Sequence, residues 1–266
     1  MKSGSATSFN EVEPHHKRSQ TESGNQRLIS ISLIILILWG LFTSAVLADT
    51  NSVYQYRTNH NRDGIGKFYM GREIAHVMGH MGAGWLERRS REAEEKPSKV
   101  VSALHLKPTD VVADIGAGTG YMSFRMASLV PEGKVLAVDV QPEMLDILGF
   151  LQQERHITNV EPVLATPTNT NLPQESIDLA LMVDAYHEFE YPQEVMQGII
   201  GALKPGGRVV LVEYRGENPF ILIKALHKMT QKQVKKEMQA VGLVWRETQE
   251  FLPQQHFLVF EKSAEL

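Results

Sequence analysis

The alternation of hydrophobic and polar positions divides the chain into three stretches. Residues 1–27 are polar, rich in Ser, Asn, Glu and His, and lack apolar periodicity, so a disordered tail is expected there. From Leu28 to Leu47 runs the uncharged segment LISISLIILILWGLFTSAVL. As a helix, its 20 residues would span about 30 Å, the thickness of a bilayer's hydrocarbon core. Two membrane readings stand open for 28–48. One is a retained transmembrane anchor. The other is a signal peptide in which Arg27 closes the basic leading region and Val46–Leu47–Ala48 precede the cleavage site. Flanking charge does not decide orientation, because Lys17, Arg18 and Arg27 before the segment balance Arg57, Arg62 and Lys67 after it. The chain is thus expected at a membrane through residues 28–47, or exported after cleavage, with the sidedness of the remainder open.

From about Val53 the pattern is globular. Residues 53–106 are expected as a helical cover, with Gly71 to Arg91 and Glu92 to Leu106 reading as helical segments. From 107 to 266, short apolar runs alternate with amphipathic ones. VVADI (111–115), VLAVDV (135–140), VEPVLA (160–165), IDLALMVD (177–184) and RVVLVEY (208–214) read as strands. Helices are expected up to about Leu129, over QPEMLDILGFLQQE, up to about Leu203, and between an N-cap at Thr230 and a closing Gly242. KPGG (204–207) punctuates. VWRETQEF and HFLVFEK, joined through LPQQ, predict a terminal antiparallel hairpin. Alternation of this kind means an α/β fold with a parallel sheet covered on both faces.

Composition adds exclusions. Of 266 residues, 42% are hydrophobic and 22% charged, which is ordinary for a globular chain. A net charge of −4 gives no general grip on nucleic acid, so no nucleic-acid partner is expected. The basic clusters Arg88–Arg89–Arg91 and Lys235–Lys236 are interleaved with glutamates and read as solvated helix faces. There is no cysteine, which removes disulfides, thiolate metal sites and cysteine nucleophiles.

The chemistry concentrates after the first long strand. Gly116, Gly118 and Gly120 form G-x-G-x-G, a turn where a ligand can lie against bare backbone and the free N–H groups of the next helix. Asp114 stands one residue before the loop, where a carboxylate would repel a pyrophosphate and hold a ligand bearing an amino group and a sulfonium. Asp139 ends the second strand, 19 residues after Gly120, where an acid accepts both ribose hydroxyls.

In VVADIGAGTGY, VLAVDVQPEML, IDLALMVDAYHEF and ALKPGGRVVLVEY, the chain resembles the Rossmann-like (class I) S-adenosylmethionine-dependent methyltransferases over roughly Val100 to Lys262. The resemblance implies a doubly wound, mostly parallel seven-stranded sheet with an antiparallel last strand. It implies S-adenosylmethionine as cofactor and methyl transfer to a small-molecule acceptor, and the segment 28–47 leaves open a membrane-associated one. By it, Asp114, Gly116, Ala117, Gly118 and Gly120 surround the methionine portion. Asp139 holds the ribose, and Val140, Gln141 and Met144 pack near the adenine. Relatives carry a Gly-Asp pair after the third strand where this chain has Ala165–Thr166, leaving the Thr166 hydroxyl for the adenine. Asp184 closes the fourth strand beside the same ligand. His187, with Tyr186 next to it, is the candidate base or acceptor-orienting group. Tyr69, His76, His80 and Trp85 are candidates for the acceptor pocket under a glycine-loosened cover. His76 and His80 would share one helix face, but without thiolates or a metalloprotease glutamate between them no metal site is expected. Missing cysteines argue against the arsenite-methylating relatives. Two other functions stay in view: a non-catalytic ligand-binding protein on the same fold, and a nicotinamide-dependent oxidoreductase. Oligomeric state is open.

Overall fold

The computed structural model describes residues 53–263, so the polar tail and the segment 28–47 expected at a membrane lie outside the described residues. Among the described residues no helix is long and apolar enough to cross a membrane. They form a small antiparallel sheet, β1 (Tyr54–Tyr56), β2 (Gly64–Tyr69) and β3 (Arg72–Ala75), followed by a seven-stranded one. The large sheet comprises β4 (Val111–Ile115), β5 (Lys134–Asp139), β6 (Val160–Leu164), β7 (Ile177–Val183), β8 (Leu203–Tyr214), β9 (Leu243–Gln249) and β10 (Gln255–Lys262). Their spatial order is β6-β5-β4-β7-β8-β10-β9. Pairings are parallel from β6 to β8, and only β10 runs against its two neighbours.

Period-two alternation sends each strand's apolar residues to both faces, and helices cover both. Ala113 and Ile115 of β4, with Leu136 and Val138 of β5, pack towards α5 (Pro192–Ala202) and α6 (Gln231–Ala240). Val112, Val135, Ala137 and Leu181 pack the other way, against α2 (Pro97–Ala103), α3 (Ser123–Ala127) and α4 (Pro142–Glu154). Thr230 caps α6, its hydroxyl accepting from Gln233 N at 3.1 Å, and Gly242 (φ +87°) follows that helix.

Three expectations change. The stretch predicted as a helical cover is half sheet: β1–β3 lead into helical turns at His80–Gly82 and Ala83–Leu86, α1 (Arg91–Glu95) and α2. REIA has two half-buried positions followed by two buried ones and pairs with β2, and Gly71 (φ +100°) makes the hairpin turn that a continuous helix would forbid. His76 and His80 therefore share no helix. Secondly, KPGG does not end an element. β8 starts at Leu203 and bulges, so that Ile177 pairs with Leu203 and Leu179 with Arg208. Thirdly, the Arg88–Arg91 cluster is not a solvated face. Arg91 is 4% and Glu95 2% exposed. Arg91 Nε donates to Glu95 Oε2 at 2.7 Å, Arg88 also binds Glu95, and the Tyr214 hydroxyl donates to its Oε1 at 2.7 Å.

Candidate active site

Parallel strands end together, and their C-terminal edge is where loops from neighbouring strands converge. A cavity of about 550 Å³ opens there. Its first wall is the glycine loop. Gly116 N and Ala117 N both donate to Val138 O, at 2.8 and 3.0 Å, which folds the loop back over β5. Gly116 (φ +76°) and Gly118 (φ +55°) need the left-handed region, and both line the cavity. A Cβ on Gly116 would sit 2.7 Å from Ala185, and one on Gly118 2.7 Å from Leu86. Ala117 and Gly120 belong to the loop without lining the cavity. Gly120 instead lets the loop pass beneath Phe124.

Asp139 faces the same space. Gly118 N donates to its Oδ2 at 2.8 Å and Gln141 N to its Oδ1 at 2.9 Å, which fixes the carboxylate and leaves each oxygen further acceptor capacity. Burial raises its pKa against the pull of those backbone donors. Val140, Gln141, Met144 and Thr166 also line the cavity. Gln141 reaches across to donate to Met78 O at 3.0 Å. The Thr166 hydroxyl is already engaged in a tight turn, accepting from Asn169 N at 3.1 Å.

Asp114 departs from expectation. It does not line the cavity: with Val112 it lies on the sheet face turned towards α3, where Ser123 Oγ donates to its Oδ2 at 2.6 Å. Burial pushes its pKa up to about 6. The carboxylate that does reach the cavity is Asp184, held at φ +50°, a strained conformation for a residue with a side chain. Gln255 donates to its Oδ2 at 2.6 Å, while Oδ1 is buried without a hydrogen-bond partner. Burial, with Glu95 and Glu213 nearby, lifts its pKa well above the usual carboxylate range.

The far wall is built around His187, 2% exposed in a helical turn, Tyr186–Glu188. Its Nδ1–H donates to Glu213 Oε2 at 2.7 Å, and Nε2 lies 3.0 Å from His227 Nδ1. Burial alone would lower the His187 pKa, but Glu213 outweighs it and holds the ring above its ordinary value. Tyr186 is turned away from the cavity. It is 1% exposed, and its hydroxyl donates to Glu237 Oε2 of α6 at 2.8 Å, so it serves the core. Tyr69 likewise packs on Tyr54, and His80 stays off the cavity wall, whereas His76 and Trp85 line it.

Several cavity residues were not foreseen: Asp63, Arg91, Glu188, Tyr214 and His227, with Glu213 just behind. One signal was available. An acid inside RVVLVEY breaks an otherwise apolar strand, and Glu213 and Tyr214 leave that strand's end on opposite faces towards His187 and Glu95. Asp63, in a loop, and His227, at the end of the helical turn Ala225–His227, carry no such mark and are far from His187 in sequence.

A sequence model of a methyltransferase-domain family matches residues 106–259. An uncharacterized methyltransferase-like protein of Schizosaccharomyces pombe is 36% identical over 104 residues, 39% of this chain and 38% of that protein. A ubiquinone/menaquinone biosynthesis C-methyltransferase of Ectopseudomonas mendocina is 26% identical over 119 residues, covering 44% of this chain and 46% of that one. The chain thus spans less than half the length of these curated relatives. In fold it is similar to a SAM-dependent methyltransferase from Aquifex aeolicus, with a TM-score of 0.67 at 21% identity, over 70% of this chain and all of that one (100%).

Proposed function

Since the chain belongs to the methyltransferase-domain family, we propose that it is an S-adenosylmethionine-dependent methyltransferase whose cavity holds the cofactor against β4 and β5 and an apolar small-molecule acceptor beside His187. The observation that carries this is the joining of two unlike walls in one space. On one side stand bare glycine backbone and the fixed Asp139. On the other stand a buried histidine–carboxylate pair and an apolar rim.

The cofactor end fits its ligand. Asp139 keeps acceptor capacity on both oxygens for a ribose diol, and Gln141, Met144 and Ala165 offer surfaces to a flat heterocycle. A Cβ at Gly116 would intrude on Ala185 and narrow the cradle. Asp184 Oδ1, buried and unpartnered, suits the cofactor's positive charge, whose presence would favour ionisation of that carboxyl. When bound, S-adenosylmethionine supplies a methyl group made electrophilic by its sulfonium. The chain's own contribution is then to orient the acceptor and exclude water. His187, locked by Glu213, faces the acceptor's nucleophilic atom.

The acceptor class follows from the rim. Val77, Trp85 and Leu222 line the cavity while remaining 46%, 41% and 97% exposed, with Met81 and Phe220 exposed nearby in the same segments. Large apolar side chains gathered at a cavity mouth mark a surface that receives an apolar ligand. A membrane-associated acceptor agrees with the apolar segment 28–47, read as a retained anchor, and with the quinone-pathway name of one relative. Residues 76–86 act in this reading as the cover over the acceptor, with loose turns in place of the expected helix. The test is to supply the protein with methyl-labelled S-adenosylmethionine and fractionated membrane extract. Label should enter organic-soluble small molecules. Label confined to protein, RNA or water-soluble metabolites would contradict the proposal.

A further inference from the structure

His187, Glu188 and His227 come together in a way that the acceptor reading alone does not require. His187 Nε2 lies 3.0 Å from His227 Nδ1, Glu188 Oε1 is 3.3 Å from His227 Nδ1, and it is 3.8 Å from His187 Nε2. A tetrahedral ion with bonds of about 2.0–2.1 Å would set its ligand atoms roughly 3.3 Å apart. The observed triangle brackets that spacing.

Proton placement points the same way. Glu213 takes the Nδ1–H of His187, which leaves a lone pair on His187 Nε2. On the other ring, Asp63 Oδ2 lies 3.1 Å from His227 Nε2, close though off the line of a hydrogen bond. The His227 tautomer with its proton on that outer nitrogen presents its Nδ1 lone pair beside His187 Nε2, with the Glu188 carboxylate next to both. A carboxylate hydrogen-bonded to the outer nitrogen, as Glu213 is to His187, is the arrangement that aims a metal-bound histidine. The three side chains are at most 18% exposed, and all three line the cavity.

We propose that His187, Glu188 and His227 bind a divalent first-row metal ion of the zinc class, with its fourth position open to the acceptor end of the cavity. Two imidazoles and one carboxylate are a ligand set for such an ion in sites that keep an open position. Its role rests on the function proposed above. An acceptor hydroxyl or thiol would coordinate there and lose its proton to water through the cavity mouth, leaving an anionic nucleophile. His187 then acts as a ligand and not as a proton acceptor.

The experiment uses the untagged full chain, purified in detergent and stripped with chelator. Zn2+ is titrated calorimetrically, and Co2+ is added as a spectroscopic probe. One equivalent of Zn2+ and a tetrahedral Co2+ spectrum are expected. His227→Ala and Glu188→Gln should lose binding, and Glu213→Gln should weaken it roughly 10–100-fold. Absence of Zn2+ binding by protein shown to be folded by circular dichroism would overturn the proposal, leaving the two rings hydrogen-bonded to each other. So would unchanged affinity in the His227→Ala variant. Titration with S-adenosylmethionine on the same sample separates the two readings: cofactor binding without zinc removes only the metal site, and zinc without cofactor removes only the cofactor pocket.

Discussion

Three aspartates at the ends of neighbouring strands have three different surroundings, and the surroundings assign their work. Asp139 accepts two backbone N–H groups and faces the cavity. Asp184 faces it too, with one oxygen unpartnered. Asp114 is enclosed against Ser123, and burial raises its pKa from 3.8 to about 6. A raised carboxyl pKa means that the folded state holds its proton more tightly than the unfolded chain. The stability this gives is complete below the unfolded pKa and is lost as pH rises through about 6. Between pH 4 and 7 the wild type should therefore lose roughly 2 kcal/mol relative to Asp114→Asn, which keeps an acceptor for Ser123 but cannot titrate. Urea unfolding of both proteins across that range checks this, and parallel pH profiles would contradict it.

At the scale of elements, a buried ion pair fastens the small sheet to the cavity edge of the large one. Arg72 of β3 donates through Nε and Nη2 to the two oxygens of Glu237, at 2.8 and 3.1 Å, and through Nη1 to His187 O at 3.1 Å. Glu237 also accepts from Tyr186 and Gln233, at 2.8 and 2.7 Å, so four side chains from three elements meet there. Removing one partner of such a pair strands the other charge. Glu237→Ala should cost about 3–5 kcal/mol in denaturant unfolding. A loss under 1 kcal/mol would show that Arg72 finds water and that the fastening is weak.

The same junction explains what the sequence could and could not reveal. The seven-stranded sheet was legible because β4, β5, β7, β8 and β10 carry apolar runs bounded by glycine, proline or charge, and the glycine loop and Asp139 fall at fixed places on it. Asp114 lies off the cavity because period-two geometry turns it towards α3, which its distance from the loop does not reveal. Tyr186 was drawn into the site by adjacency to His187, yet in that turn the two side chains part, one to Glu237 and the other to Glu213. Residues 53–106 misled because apolar residues next to histidines and arginines imitate helix periodicity, whereas tertiary pairing with β2 and burial of Arg91 and Glu95 decide their structure.

Taken as a whole molecule, the described unit gathers its chemistry at one edge of the sheet. β4 and β5 lead into the glycine loop and Asp139, and β7 and β8 bring Asp184, His187, Glu213 and Tyr214. The loops before and after them bring Asp63 and His227. Cover and floor are continuous, since Leu86 packs on Gly118 and Gln141 donates to Met78 O. Ligand in that cavity would therefore bridge the two, and its binding should raise the unfolding temperature of the whole unit.

The central claim is that this cavity is the S-adenosylmethionine site and that Asp139 grips the ribose. Calorimetric titration of the wild type and of Asp139→Ala with S-adenosylmethionine tests it most directly, with thermal unfolding confirming that both are folded. The account predicts micromolar binding by the wild type and a loss of about 1.5–3 kcal/mol in the variant, some ten- to hundredfold in affinity. Equal affinity in the two folded proteins would contradict it and place the cofactor elsewhere.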